Sequence, residues 1–201
     1  MGSTEAAEGL RARKRRETRE RIAEAGLSLF LQHGFEAVTL DQVALAADIS
    51  RRTFFHYFDS KEDILLAWES DAETAFLEAL AAEPAGLSPL EVVRAGLAKT
   101  ISRYETDHSI AIDRLLRSSE ALCARKQGSY ERKERTLFAY LAGRWPDPER
   151  RRGLRLTAML GVAALRLGVE EWSAENGRRP LVDYFNETFE LLKAQFTAED
   201  A

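Results

Sequence analysis

Apolar side chains in the first third of the chain recur at intervals of three and four residues. Ile22, Ala25, Leu29 and Phe30, with Ala23 filling in, share one face of a predicted helix from Lys14 to Gln32. His33-Gly34 ends it, because glycine takes positive φ without penalty. Leu40, Val43, Ala44 and Ala47 mark one side of a short second helix, with Thr39 as its N-cap. Asp48-Ile49 reads as a turn, and Ser50 caps a third helix from Arg51 to Phe58. Three residues between two short helices is the spacing at which such helices cross steeply.

The pattern stays helical afterwards. Ser60 and Asp63 resemble a capping box and open a fourth helix, carried by Ile64, Leu65, Trp68, Phe76 and Leu80 to about Ala82. Pro84-Ala85-Gly86 breaks it, and Ser88-Pro89 starts a fifth, which reaches Tyr104. A sixth holds Ile112, Leu115, Leu116 and Leu122, and a seventh runs over about 129–144. The eighth, about 148–174, is apolar on most of its sides, and a ninth follows over about 181–196. No stretch alternates apolar and polar residues with β-branched enrichment, so the expected class is all-α with nine helices.

Composition changes this picture little. Of 201 residues 45% are hydrophobic and 31% charged, enough for a core and a solvated surface. Cys123 is the single cysteine, which excludes an internal disulfide framework. The N-terminus lacks an apolar leader, and no apolar run approaches the roughly 18–20 residues of a membrane span. A cytoplasmic protein without a membrane partner is expected.

Charge changes the picture more. The net charge of −4 argues against nucleic acid, but its distribution does not. Residues 11–21 carry seven bases against two acids, whereas residues 1–62 as a whole are neutral. All of the net negative charge lies in residues 63–201. A basic arm on a neutral module with an acidic body suits one end facing phosphates.

The third helix carries the chemistry. In a helix-turn-helix unit the second helix of the pair enters the major groove and reads base edges from its N-terminal residues. Here these are Ser50, Arg51, Arg52 and Thr53. Arginine can bridge guanine O6 and N7, and Thr or Phe can touch a thymine methyl. His56, Tyr57 and Lys61 are placed to hold phosphates, as are Thr39 and Ser50 at helix N-termini. Phe54 and Phe58, four apart, share a face and pack inward, which leaves Phe55, His56 and Tyr57 partly outside.

These residues resemble the N-terminal domain of TetR-family transcriptional regulators over residues about 15–62. The matching pieces are Arg21-Ile22-Ala23-Glu24-Ala25, Leu29-Phe30, His33-Gly34-Phe35, Thr39-Leu40-Asp41-Gln42-Val43-Ala44, Ser50 through Phe58, and Ser60-Lys61-Glu62. The chain departs from the family's usual pattern at Asp48 (Gly), Arg52 (a small residue or proline) and Phe55 (Tyr). The resemblance implies a homodimeric, ligand-responsive repressor on a palindromic double-stranded DNA operator. Its domains would be a flexible basic arm (1–14), a three-helix DNA-binding domain (15–60) and an effector-binding and dimerisation domain (61–201).

For the effector, a small molecule of unknown identity, Trp68, Phe76, Tyr104, Arg114, Phe138, Met159 and Trp172 are the candidate pocket residues. Arg114 faces either an anionic effector or solvent, and Arg166 either the effector or a partner subunit. Helices 148–174 and 181–196 are the expected dimer interface, where Gly161, Ala164 and Gly168 would permit close approach or else complete the subunit's own core. His33, His56 and His108 lie too far apart for a metal site, and no cofactor is expected. With no phosphate loop or nucleophile elbow, no enzyme is expected either. The alternatives are a helical protein-interaction module and, behind it, a small-molecule enzyme in the C-terminal bundle.

Overall fold

The first helix, α1 (Gly2–His33), begins well before Lys14. Little in residues 2–13 would stop it: Gly9 is the one interior glycine, and Ala, Glu and Arg are good helix formers. Arg13–Glu17 and Arg16–Glu20 pair one turn apart at 3.4 and 3.7 Å, each worth about 0.2–0.5 kcal/mol. The stretch expected as a flexible arm is thus helix.

The structure, a computed structural model, describes residues 2–65, 69–105 and 109–197, with side chains for all but 2–8, 69–72, 104 and 196–197. It divides into two compact units, Met1–Ser70 and Asp71–Ala201. All regular structure among the described residues is helical.

In the first unit α2 (Leu40–Ala46) and α4 (Glu62–Leu65) pack on α1, and α3 (Arg51–Tyr57) packs on α2. Ile22, Phe30, Val43, Phe54 and Leu65 are buried in its core. Gly26 lets α4 close in, since a Cβ there would stand 2.7 Å from Ile64 Cδ1. Thr39 and Gln42 form a capping box: Thr39 Oγ1 accepts from Gln42 N–H at 3.3 Å, and Gln42 Oε1 accepts from Thr39 N–H at 2.8 Å.

The second unit holds α5 (Glu69–Ala81), α6 (Pro89–Tyr104), α7 (Ser109–Leu116), α8 (Glu120–Arg144), a 3₁₀ turn (Pro148–Arg150), α9 (Arg151–Ala174) and α10 (Leu181–Thr197). The helix expected over 60–82 is seen as α4 and α5 on either side of residues outside the description, and the described residues form ten α-helical segments and one 3₁₀ turn. Ser119 caps α8 by accepting from Leu122 N–H, and the helix runs on through Gly128. Leu122 therefore belongs to α8 and lies on its buried face with Ser129, Leu137 and Leu141.

The central helix of this unit is α9, which packs against α6, α7, α8 and α10. Its small residues serve these internal contacts. A Cβ on Gly161 would stand 2.3 Å from Val93 Cγ1 of α6, and one on Gly168 would stand 3.0 Å from the Phe185 backbone of α10. Ala164 is buried as well. Close approach at Gly161 and Gly168 and burial at Ala164 complete the subunit's own core, the second of the two readings the sequence allowed. At the end of α5, Arg144 donates to the carbonyls of Leu80, Glu83 and Pro84 at 2.8–3.1 Å and satisfies acceptors that the helix leaves open.

Candidate nucleic-acid interface and effector cavity

Three devices position α3. Asp48 takes the left-handed conformation (φ 51°), so the chain reverses tightly after α2, and Ile49 N–H returns to Ala44 O at 2.9 Å. Ser50 Oγ then accepts from Thr53 N–H at 3.0 Å and lies 2.8 Å from Thr53 Oγ1. A cap of this kind is worth about 1 kcal/mol. Finally, Phe54 and Phe58 are buried with ring centroids 5.7 Å apart, and the Arg19 guanidinium of α1 lies 5.1 Å over the Phe58 ring. The cation closes the apolar seam where α3 ends.

This anchoring leaves the other side of α3 outward. Arg51, Arg52, Phe55 and His56 are exposed, and Thr53 and Tyr57 are half-buried. Phe55 keeps 47% of its surface in solvent. Arg52, Thr53, Phe55, His56 and Tyr57 line one open concavity of about 440 Å³. Five of the residues chosen from sequence thus share one surface. Arg51 stands to the side, 3.4 Å from the Asp41 carboxylate of α2 and 5.9 Å from the Phe55 ring centre.

Lys61 is placed differently from expectation. Its ammonium donates to Phe35 O at 2.8 Å and to Val38 O at 3.2 Å, and it lies 4.3 Å over the Phe35 ring. Two of its three donors therefore hold the loop between α1 and α2. The carbonyls of a short connecting loop leave no periodic mark, so the sequence carries no sign of this role.

The expected effector residues scatter. Phe76 lines a half-open cavity of about 170 Å³ with Leu97, Ile101 and Leu165, and Lys133 and Glu105 supply charge to its lining. Trp172 lines a separate cleft. Phe138 is partly buried against the core, with the guanidinium groups of Arg151 and Arg155 over its ring at 5.1 and 5.3 Å. Met159 is 44% exposed, and Arg114 is exposed and bonded to Asn176 Oδ1 at 2.9 Å, so neither lines a described cavity. Arg166 is exposed with its guanidinium 5.4 Å over the Tyr130 ring. Trp68 lies outside the described residues, as does the Tyr104 side chain.

The sequence reading missed the two buried carboxylates among this unit's described residues: Glu83, paired with Lys99, and Asp113, next to the residue it favoured. Burial alone would raise the pKa of Asp113. Hydrogen bonds from Lys126, Ser173 and Arg117 outweigh that and hold the carboxyl below its usual value. The signal was faint but present: Asp113 sits between Ile112 and Leu116 on the inward face of α7. Among the described residues no group of His, Cys, Asp or Glu is arranged to hold a metal ion.

Comparison with known proteins bears on the first unit most directly. The model of the bacterial regulatory proteins, tetR family, matches residues 22–68. The N-terminal helix-turn-helix domain belongs to the TetR family. Among curated relatives, the HTH-type transcriptional regulator TcmR of Streptomyces glaucescens is 38% identical over 111 residues, 55% of this chain and 49% of that protein. The HTH-type transcriptional repressor KstR of Rhodococcus jostii is 31% identical over 98 residues, 49% of this chain and 46% of that protein. The matched regions span about half the length of these two relatives.

TetR-like architecture extends over about nine-tenths of the chain. The Thermus thermophilus FadR repressor, solved with lauroyl-CoA, superposes with a TM-score of 0.56 at 26% identity, covering 91% of this chain and 97% of that one. The SmeT–triclosan complex gives a TM-score of 0.62 over 89% and 91%; at 17% identity it shows the shared fold alone. The resemblance drawn over residues about 15–62 thus holds for the TetR domain, and the all-α class holds for the described residues.

Proposed function

We propose that this protein is a sequence-specific, DNA-binding transcriptional regulator, a ligand-responsive homodimeric repressor acting on a palindromic operator in the cytoplasm. The outward face of α3 carries this reading. Arg52, Thr53, Phe55 and His56 stand on a capped helix anchored by Phe54 and Phe58, within a helix-turn-helix of the matching family. Two copies on a two-fold axis would address half-sites roughly 34–36 Å apart or a multiple of that. The α1 extension adds positive charge. Arg11 and Arg15 precede Arg19 at intervals of four and so continue the helix face that bears Ile22 and Phe30. Removing residues 1–14 lowers affinity at low salt if this face meets phosphates.

The partner surface and the effector site lie in the second unit. Leu156, Met159 and Leu167 form an apolar stripe on α9 that is 44–53% exposed, and Leu191 of α10 is 59% exposed. A second copy packed there makes a four-helix interface. The half-open cavity by Phe76 and Lys133 is the effector site. An effector shifts DNA binding only to the extent that it binds one arrangement of the dimer better than the other. FadR of Thermus thermophilus and SmeT were each solved with a small molecule bound, which supports this part of the reading.

The deciding experiment is a mobility-shift titration against the DNA upstream of the protein's own gene, repeated over a salt series. Saturable binding that outcompetes unrelated DNA and weakens linearly with log salt is expected. Binding to no DNA, with a protein partner captured through Phe55, would favour the interaction-module reading instead.

A further inference from the structure

We propose that the cleft at the turn between α9 and α10 binds a small organic carboxylate, which accepts a hydrogen bond from the indole N–H of Trp172. This cleft is separate from the cavity by Phe76, sharing only Glu105 with it, and measures about 620 Å³.

Trp172 is 4% exposed, and among the described residues its Nε1 is the one buried side-chain nitrogen or oxygen without a hydrogen-bond partner. Buried donors in native proteins are almost always paired, because an unpaired one loses its bond to water and gains nothing. The indole edge that bears Nε1 lies beside Gly177, which also lines the cleft. A Cβ on Gly177 would stand 3.5 Å from Nε1 and 3.6 Å from Ile110 Cβ, and φ of 68° there favours glycine. The turn thus sets a residue without a side chain next to the unpaired donor.

The rest of the cleft selects the ligand. Ile110, Pro180 and Val182 give it an apolar wall beside the indole. The one carboxylate among its described lining residues, Glu105, is turned to α10, with both oxygens 2.9 Å from Leu181 N–H. Two guanidinium groups line it. Arg179 is bound to Glu187 and lies 4.4 Å over the Tyr184 ring, while Arg178 is exposed. An indole N–H can only donate, so it selects an acceptor, and the arginines make that acceptor anionic. A carboxylate on an aromatic or aliphatic body meets both requirements.

The test follows the indole proton itself. The full chain contains three tryptophans, Trp68, Trp145 and Trp172, so its ¹H–¹⁵N spectrum carries three indole signals, and Trp172→Phe identifies the third. With 1-naphthoate, the Trp172 signal moves downfield and saturates; with 1-naphthylmethylammonium it stays. Calorimetry finds 1-naphthoate affinity at least tenfold lower in Trp172→Phe and several-fold lower in Arg178→Gln. A Trp172 signal that stays fixed at millimolar naphthoate, or that moves equally with the amine, overturns the proposal, as does unchanged affinity in both variants. If Trp172→Phe fails to fold, the two probes on the unaltered chain and the exposed Arg178→Gln variant decide. No DNA enters these measurements, so their outcome is independent of the operator-binding reading.

Discussion

The ammonium of Lys61 donates to the carbonyl of Phe35 at 2.8 Å, tying the start of α4 to the loop that follows α1. A cation used in this way stabilises the domain before it meets any phosphate. Lys61→Ala is expected to destabilise the N-terminal domain by about 1–3 kcal/mol, as for a charge-assisted hydrogen bond, and to lower its melting temperature. The salt slope of DNA binding stays unchanged. A slope reduced by about one unit with unaltered melting would return Lys61 to the phosphate-contacting set.

Arg52 and Thr53 are exposed and half-buried on the concave face of α3. Arg52→Ala and Thr53→Ala each cost about 1–3 kcal/mol on the preferred operator and relax base preference there. A binding-site selection with each variant measures this; an identical selected sequence would remove that residue from the reading surface. For Thr53→Ala the melting curve is also needed, because Thr53 Oγ1 touches the Ser50 cap.

Met159 and Leu156 lie on the exposed stripe of α9. A charge placed there keeps about half of its surface in solvent in the single subunit but would be buried in a dimer. Met159→Glu and Leu156→Glu should give a folded monomer with native helicity, as read by light scattering and circular dichroism. A dimer that survives both changes would place the interface elsewhere.

Asp113 shows a pH dependence of definite sign. Its carboxyl is held below the ordinary aspartate value of 3.8, so its stabilisation is complete above that value and is lost as pH falls below it. Asp113→Asn strands the Lys126 ammonium, which is 16% exposed, and should cost roughly 3 kcal/mol near neutral pH. The deficit relative to the unaltered protein stays constant between about pH 7 and 5 and shrinks below about pH 4. A constant deficit down to pH 2 would show that the carboxylate's charge contributes nothing.

The N-terminal domain was legible because its signals are local. The apolar spacing of Ile22, Val43 and Phe54, the caps at Thr39 and Ser50 and the turn at Asp48 are each set by residues within a few positions. The starts of α1 and α8 were not legible, because Ala-, Glu- and Arg-rich turns look alike in helix and in arm. Nor was the second unit's chemistry. Arg114 and Asp113 differ by one residue, and only packing decides which is inside. Gly161 and Gly168 showed that α9 is approached closely, but not by which helix. Val93 and Phe185 supply that answer from 68 and 17 positions away.

Asp41 and Arg51 give the DNA-reading head a resting position. Their 3.4 Å pair is well exposed on both sides, so it is worth little in water and is released easily. While it lasts, the guanidinium is kept off stray phosphates and the carboxylate beside the groove-facing surface is neutralised. Breaking the pair costs the same small amount whatever Arg51 then meets, so removing Asp41 would strengthen every Arg51 contact alike and leave base preference unchanged.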